Sequence, residues 1–189
     1  MRDSTIAVLV ALFFASELAL ALRRRSPRAA GATGADRGSL GVLWIVITMA
    51  IVAAVALSGF PKTRLPFSRA ALRAVAIVLL VGGIAFRWWA VMTLGKFFTV
   101  DVATHADHVL VDTGPFRLVR HPSYTGLLLA FLGFGISFGN ALSLVVLMTP
   151  IVLAFAYRMR VEEKALRKTL GAPYEAYCAR TKRLIPGVI

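Results

Sequence analysis

Five apolar runs constrain this chain more than any other feature: Ile6 to Leu22, Leu40 to Phe60, Ala74 to Met92, Pro122 to Phe138 and Ala141 to Tyr157. A helix rises about 1.5 Å per residue, so crossing a hydrocarbon core about 30 Å thick takes about 20 apolar residues, range about 17 to 25. Each run meets or approaches that length. Composition agrees: 58% of residues are hydrophobic, mean hydropathy is +0.76 and only 16% are charged. Soluble domains run about 45 to 50% apolar and about 25% charged, so a water-soluble globule is excluded. The sequence predicts an all-α integral membrane protein with about five transmembrane helices.

The last two runs are joined only by Gly139 and Asn140 and should form a tight antiparallel hairpin, with Pro122 suited to a first helical turn, where the missing N–H costs nothing. The formal charge of +13 resembles a nucleic-acid footprint, but in so apolar a chain Lys and Arg are better read as the basic flanks of membrane spans. No nucleic-acid partner is expected; the partner is the bilayer. With an outside amino terminus, sixteen Lys and Arg fall on the cytoplasmic side and five on the other, Arg87 lying within a span. That asymmetry predicts a multi-pass protein of the cell membrane with a cytoplasmic carboxyl terminus. Ala19-Leu20-Ala21 resembles a signal-peptidase site, yet the basic residues follow the first apolar run instead of preceding it, so a retained helix is expected. A single cysteine, Cys178, excludes a disulfide framework, and His105, His108 and His121 lack the close spacing of a tetrahedral metal site.

Chemistry is concentrated in Thr93 to His121 and in Arg158 to Ile189, where aromatics, histidines, acids and prolines mix irregularly. Gly114 to Gly126 packs Arg117, Arg120, His121 and Tyr124 just before a span, where free helix N–H groups favour a carboxylate. By composition alone this stretch reads better as an ordinary juxtamembrane anchor with Arg and Tyr at the interface. Arg158 and Glu162, four apart on one helical face, suit capture of a carboxylate at the lipid edge and of a cation or ribose hydroxyls beyond it. An exposed salt bridge worth about 0.3 to 0.5 kcal/mol is the plainer alternative. That helix should run unbroken to Leu170, with Gly171 stopping it. Glu17 and Arg87, charged residues inside apolar runs, lie near enough to span ends to reach the headgroups.

Taken in order, Arg120-His121-Pro122-Ser123-Tyr124-Thr125-Gly126, the hairpin, Glu162-Glu163 with Leu166, Tyr174, Tyr177 and Arg183-Leu184-Ile185-Pro186 resemble the isoprenylcysteine carboxyl methyltransferase family, within the wider phospholipid methyltransferase group. The resemblance covers roughly residues 97 to 186. It implies S-adenosylmethionine in a cytoplasmic pocket formed by the third loop and the carboxyl-terminal segment, with methyl transfer to a lipophilic acceptor, most readily a carboxylate. It places cofactor contacts at His108, Val109, Leu110, Val111, Phe116, His121, Pro122, Ser123, Tyr124 and Glu162, and a substrate-orienting role at Arg158. Phe116 stands where the eukaryotic enzymes tend to have Tyr, and Asp101 aligns with a contact position but differs in type. On this reading residues 1–92 form an amino-terminal three-helix membrane region and 93–189 a methyltransferase-like region. A phospholipid-type N-methyltransferase, an NADPH-dependent membrane reductase and a non-enzymatic scaffold are the alternatives.

Overall fold

A computed structural model describes residues 4–23, 39–95 and 110–187. They form α1 (Ser4–Arg23), α2 (Ser39–Leu57), α3 (Arg69–Leu94), α4 (Pro122–Ser137), α5 (Ala141–Leu170) and α6 (Ala172–Arg180), with 3-10 turns at Pro61–Thr63 and Gly114–Arg117. Among the described residues there is no strand, only two isolated bridges. Helices α1, α2, α3 and α5 are long and apolar enough to cross a membrane. The fifth expected span, α4, has 16 residues, which at about 1.5 Å each reach only about 24 Å. Its ends explain this: Pro122 starts it, and Gly139 at φ +62° turns the chain into Asn140. Asn140 caps α5 by accepting from the Ser143 N–H at 3.1 Å.

Small residues set how closely the helices approach. Where α3 crosses α4, a Cβ on Gly83 would lie 2.6 Å from Ala130 N and Gly126 O, and one on Gly133 would lie 2.7 Å from Ala76 O. The two backbones touch, the arrangement membrane helices use when lipid supplies no hydrophobic drive for association. Leu80, Leu147, Ile151 and Phe155 are fully buried between the helices. Phe13 of α1 meets Phe131 of α4 edge to face, centroids 5.6 Å apart. Side chains facing away, such as Val8, Leu12, Ile45, Met49 and Val78, are exposed apolar surface of the kind lipid covers.

The two ends of the bundle differ. At one, Asn140 donates to Phe60 O (2.9 Å) and accepts from Thr63 Oγ1 (3.0 Å), tying the α2–α3 connection to the α4–α5 turn. At the other, the carboxyl ends of α1 and α3 meet the start of α4 through Glu17, Arg87 and Ser123, and the start of α4 meets the charged extension of α5 through Tyr124 and Glu162. There the structure departs from sequence expectation: Glu17 and Arg87 do not reach outward separately. Both are buried, and Arg87 Nε and Nη2 donate to Glu17 Oε1 and Oε2 at 2.5 and 2.6 Å. They lie on the buried faces of their helices, Glu17 with Phe13 and Leu20, Arg87 with Leu80, Gly83 and Ala90.

Candidate active site

The site is built where α4 begins. Gly114, at φ +55°, opens the 3-10 turn that buries Pro115 and Phe116. The chain then runs to His121, which precedes α4, with Pro122 buried at its first position. One turn in, Tyr124 stacks on the His121 ring, centroids 5.5 Å apart at 19°. Its hydroxyl donates to Glu162 Oε2 at 2.8 Å, and Arg158 bears on the same hydroxyl. Arg158 is 2% exposed, so the solvated salt bridge that spacing allowed is not what forms; the Glu162 side chain remains 32% accessible. A buried cation, a phenol and a partly open carboxylate therefore line up where α5 leaves its apolar stretch.

One residue along, Glu163 faces inward, because successive helical positions differ by about 100°. It is 3% exposed and accepts from Arg183 Nε (2.9 Å) and Nη2 (2.7 Å), from Arg120 Nε (3.3 Å) and from His121 Nε2 (3.2 Å). An ionised carboxylate only accepts, so that bond keeps a proton on His121 Nε2. The bidentate Arg183 contact also raises the pKa of that guanidinium.

Glu163 thereby clamps a carboxyl-terminal strap, residues 181–187, across the mouth of α4. The strap makes backbone bonds from Arg120 N–H to Lys182 O (2.7 Å) and from His121 N–H to Arg183 O (3.0 Å), and Thr125 Oγ1 donates to Leu184 O (3.0 Å). Helix α6 holds the strap in place. Gly171, at φ +57°, ends α5 as expected, and the Tyr177 hydroxyl donates to Phe116 O at 2.7 Å. Burial pushes the Tyr177 phenol up to about 12, keeping it a donor. Arg180 pairs with Asp112 and covers the Tyr177 ring, 5.7 Å from its centroid. The Tyr174 hydroxyl is buried with no hydrogen-bond partner, near the Glu162 and Glu163 carboxylates.

Of the residues singled out in the sequence, the structure brings together His121, Pro122, Ser123, Tyr124, Arg158 and Glu162. Phe116 enters through its carbonyl, which anchors α6. Leu110 and Val111 are half-buried where the chain approaches the 3-10 turn. His108, Val109 and Asp101 lie outside the described residues. Sequence reasoning passed over Glu163, Arg120 and Arg183 as individual site residues. The available signal was an acid beside Glu162, on a different helical face, with arginines at both flanking motifs.

Residues 75–168 match the isoprenylcysteine carboxyl methyltransferase family model. A probable protein-S-isoprenylcysteine O-methyltransferase of Oryza sativa subsp. indica is 33% identical over 114 residues, 59% of this chain and 60% of that protein. The protein-S-isoprenylcysteine O-methyltransferase of Saccharomyces cerevisiae is 38% identical over 102 residues, 53% of this chain and 43% of the yeast protein. The matches thus span at most 60% of the length of these two relatives. The solved structure of the eukaryotic intramembrane Ras methyltransferase ICMT superposes with a TM-score of 0.65 at 24% identity, over 97% of this chain and 66% of that one. The fold is therefore shared with an intramembrane protein of the same family name. Residues 75–168, which carry most of α3, all of α4, most of α5 and the Tyr124–Glu162 and His121–Glu163 contacts, are thus the part of this chain that resembles the isoprenylcysteine carboxyl methyltransferase family.

Proposed function

We propose that this multi-pass membrane protein transfers a methyl group from S-adenosylmethionine to the carboxylate of a lipophilic acceptor. The observation that carries the reading is the Arg158–Tyr124–Glu162 alignment under the Glu163-clamped strap: a buried cation toward the bilayer and a partly open carboxylate beyond it. The residues fit the cofactor. Glu162 offers an acceptor for hydroxyl or ammonium groups, and the Tyr174 hydroxyl is a buried donor without a partner. When bound, S-adenosylmethionine supplies an electrophilic methyl on a sulfonium, which passes to a carboxylate oxygen as the carbon–sulfur bond breaks.

The chain's own part is alignment and exclusion of water. A carboxylate acceptor is already ionised at pH 7 and needs no base. An amine would need one, and His121 and Glu162 are the nearest candidates for it. Arg158 holds the acceptor carboxylate through its planar fork. The acceptor's tail stays in lipid, because removing it costs about 0.8 kcal/mol per CH₂. The basic asymmetry of the sequence supports a cytoplasmic face for this end of the bundle.

The test is methylation of a panel of lipid-linked carboxylates and amines by purified protein in liposomes, with binding of labelled S-adenosylmethionine and of NADPH measured in parallel. Carboxyl methylation, and its strong loss in Arg158→Lys with cofactor affinity nearly intact, is the expected result. NADPH binding without S-adenosylmethionine binding, or full turnover by Arg158→Lys, overturns the reading.

A further inference from the structure

The Glu17–Arg87 pair sits in the bundle, yet buried ion pairs are weak stabilisers, since well-packed apolar residues often replace them without loss. Intramembrane charge is costly enough to call for a role. The geometry supplies one. Glu17 occupies Nε and Nη2 of Arg87, and Nη1 donates to Ser123 Oγ, the second residue of α4. Ser123 lies between Pro122 and Tyr124, inside the segment that carries the candidate site. A hydroxyl accepts through its lone pairs and donates its single proton elsewhere. With Arg87 on a lone pair, the Ser123 proton is directed away from the guanidinium and left to donate. Without that contact nothing fixes the hydroxyl rotor, and its proton is free to turn to a backbone carbonyl instead.

We propose that Glu17 and Arg87 are positioning residues that hold the Ser123 hydroxyl as a donor toward an acceptor group of the bound cofactor, so that α1 takes part in ligand binding. Helix α1 lies outside the family-matched residues 75–168, and no other observation gives it a part in the site. The inference rests on the proposed use of S-adenosylmethionine.

The test uses the full chain in detergent or liposomes and measures the S-adenosylmethionine dissociation constant by equilibrium dialysis, with thermal unfolding alongside. The double variant Glu17→Gln/Arg87→Met removes both charges together, leaving neither buried alone. It is expected to bind about tenfold more weakly, the scale of one hydrogen bond. Adding Ser123→Ala should then cost nothing more, because residues acting through one contact are non-additive; a purely structural clamp would give additive losses. If the double variant fails to fold, Ser123→Ala alone, which leaves the ion pair intact, should weaken binding about tenfold, and Ser123→Thr should restore it. Unchanged affinity in folded Glu17→Gln/Arg87→Met or in Ser123→Ala, or full additivity, overturns the inference alone. A wild-type protein that binds no S-adenosylmethionine overturns the functional reading and this inference with it.

Discussion

Gly126→Ala adds one methyl group where α4 has no room for it. The new Cβ would lie 2.6 Å from Arg87 N and Gly83 O and 2.9 Å from Arg87 Cα. Ordinary contacts between heavy atoms lie at about 3.5 to 4.0 Å, so α3 and α4 must part locally by about 1 Å. Every opposing atom is backbone, and no flexible side chain can swing aside. Overpacking of this kind costs about 1 to 3 kcal/mol. Replacing Gly with Ala inside a helix returns about 0.5 to 1 kcal/mol, so a net loss of up to about 2.5 kcal/mol, centred near about 1 kcal/mol, is expected. The site suffers more than the fold. Gly126 is two residues from Tyr124 and packs against Arg87 itself, so the same displacement loosens both the Ser123 and the Glu162 contacts. Misplacement by about 1 Å can cost about a hundredfold in rate. Thermal unfolding in detergent and methyl transfer at a temperature where the variant is folded would measure the two effects. Gly82→Ala is the control: it lies in α3, next to the Gly83 that faces α4, but its added Cβ meets nothing within 4 Å. A Gly126→Ala protein as stable and active as wild type, or an equal loss in Gly82→Ala, would refute the reasoning.

Glu163→Gln keeps the shape but removes the charge shared by Arg183, Arg120 and His121. Arg183 is 40% exposed, so the cost is discounted to about 1 to 3 kcal/mol. Faster hydrogen exchange at Lys182, Arg183 and Leu184 is the expected sign of a released strap; unchanged protection there contradicts the clamp. Tyr124→Phe removes the hydrogen bond to the Glu162 carboxylate while keeping the ring stack, and should weaken cofactor binding by about 1 to 3 kcal/mol. Equal affinity in dialysis would show that Glu162 needs no orienting partner. Tyr177 titrates above its ordinary value of 10, at about 12, because burial disfavours the phenolate. A raised pKa means its contribution to α6 docking is complete below pH 10 and is lost as pH rises through about 12. Proteolysis of the tail across that window should show a step that Tyr177→Phe lacks.

The apolar runs settled much of the architecture from sequence alone, because lipid leaves a backbone few ways to satisfy its hydrogen bonds. Hairpin and helix ends were equally legible: Gly139, Asn140, Pro122 and Gly171 act through their own backbone chemistry, which needs no distant partner. Tyr124 and Glu162 were found as candidates by motif, but their hydrogen bond spans 38 positions and exists only because small residues let α4 settle in the bundle. The roles of Glu163 and Arg87 were decided by tertiary structure. A charge in an apolar run is compatible with snorkelling to the surface or with pairing inside, and periodicity does not name the partner. Glu17 lies 70 positions from Arg87. The pair forms because the Phe13–Phe131 contact and the glycine-lined α3–α4 crossing bring three helices together at one depth, where two charges cost less paired than apart.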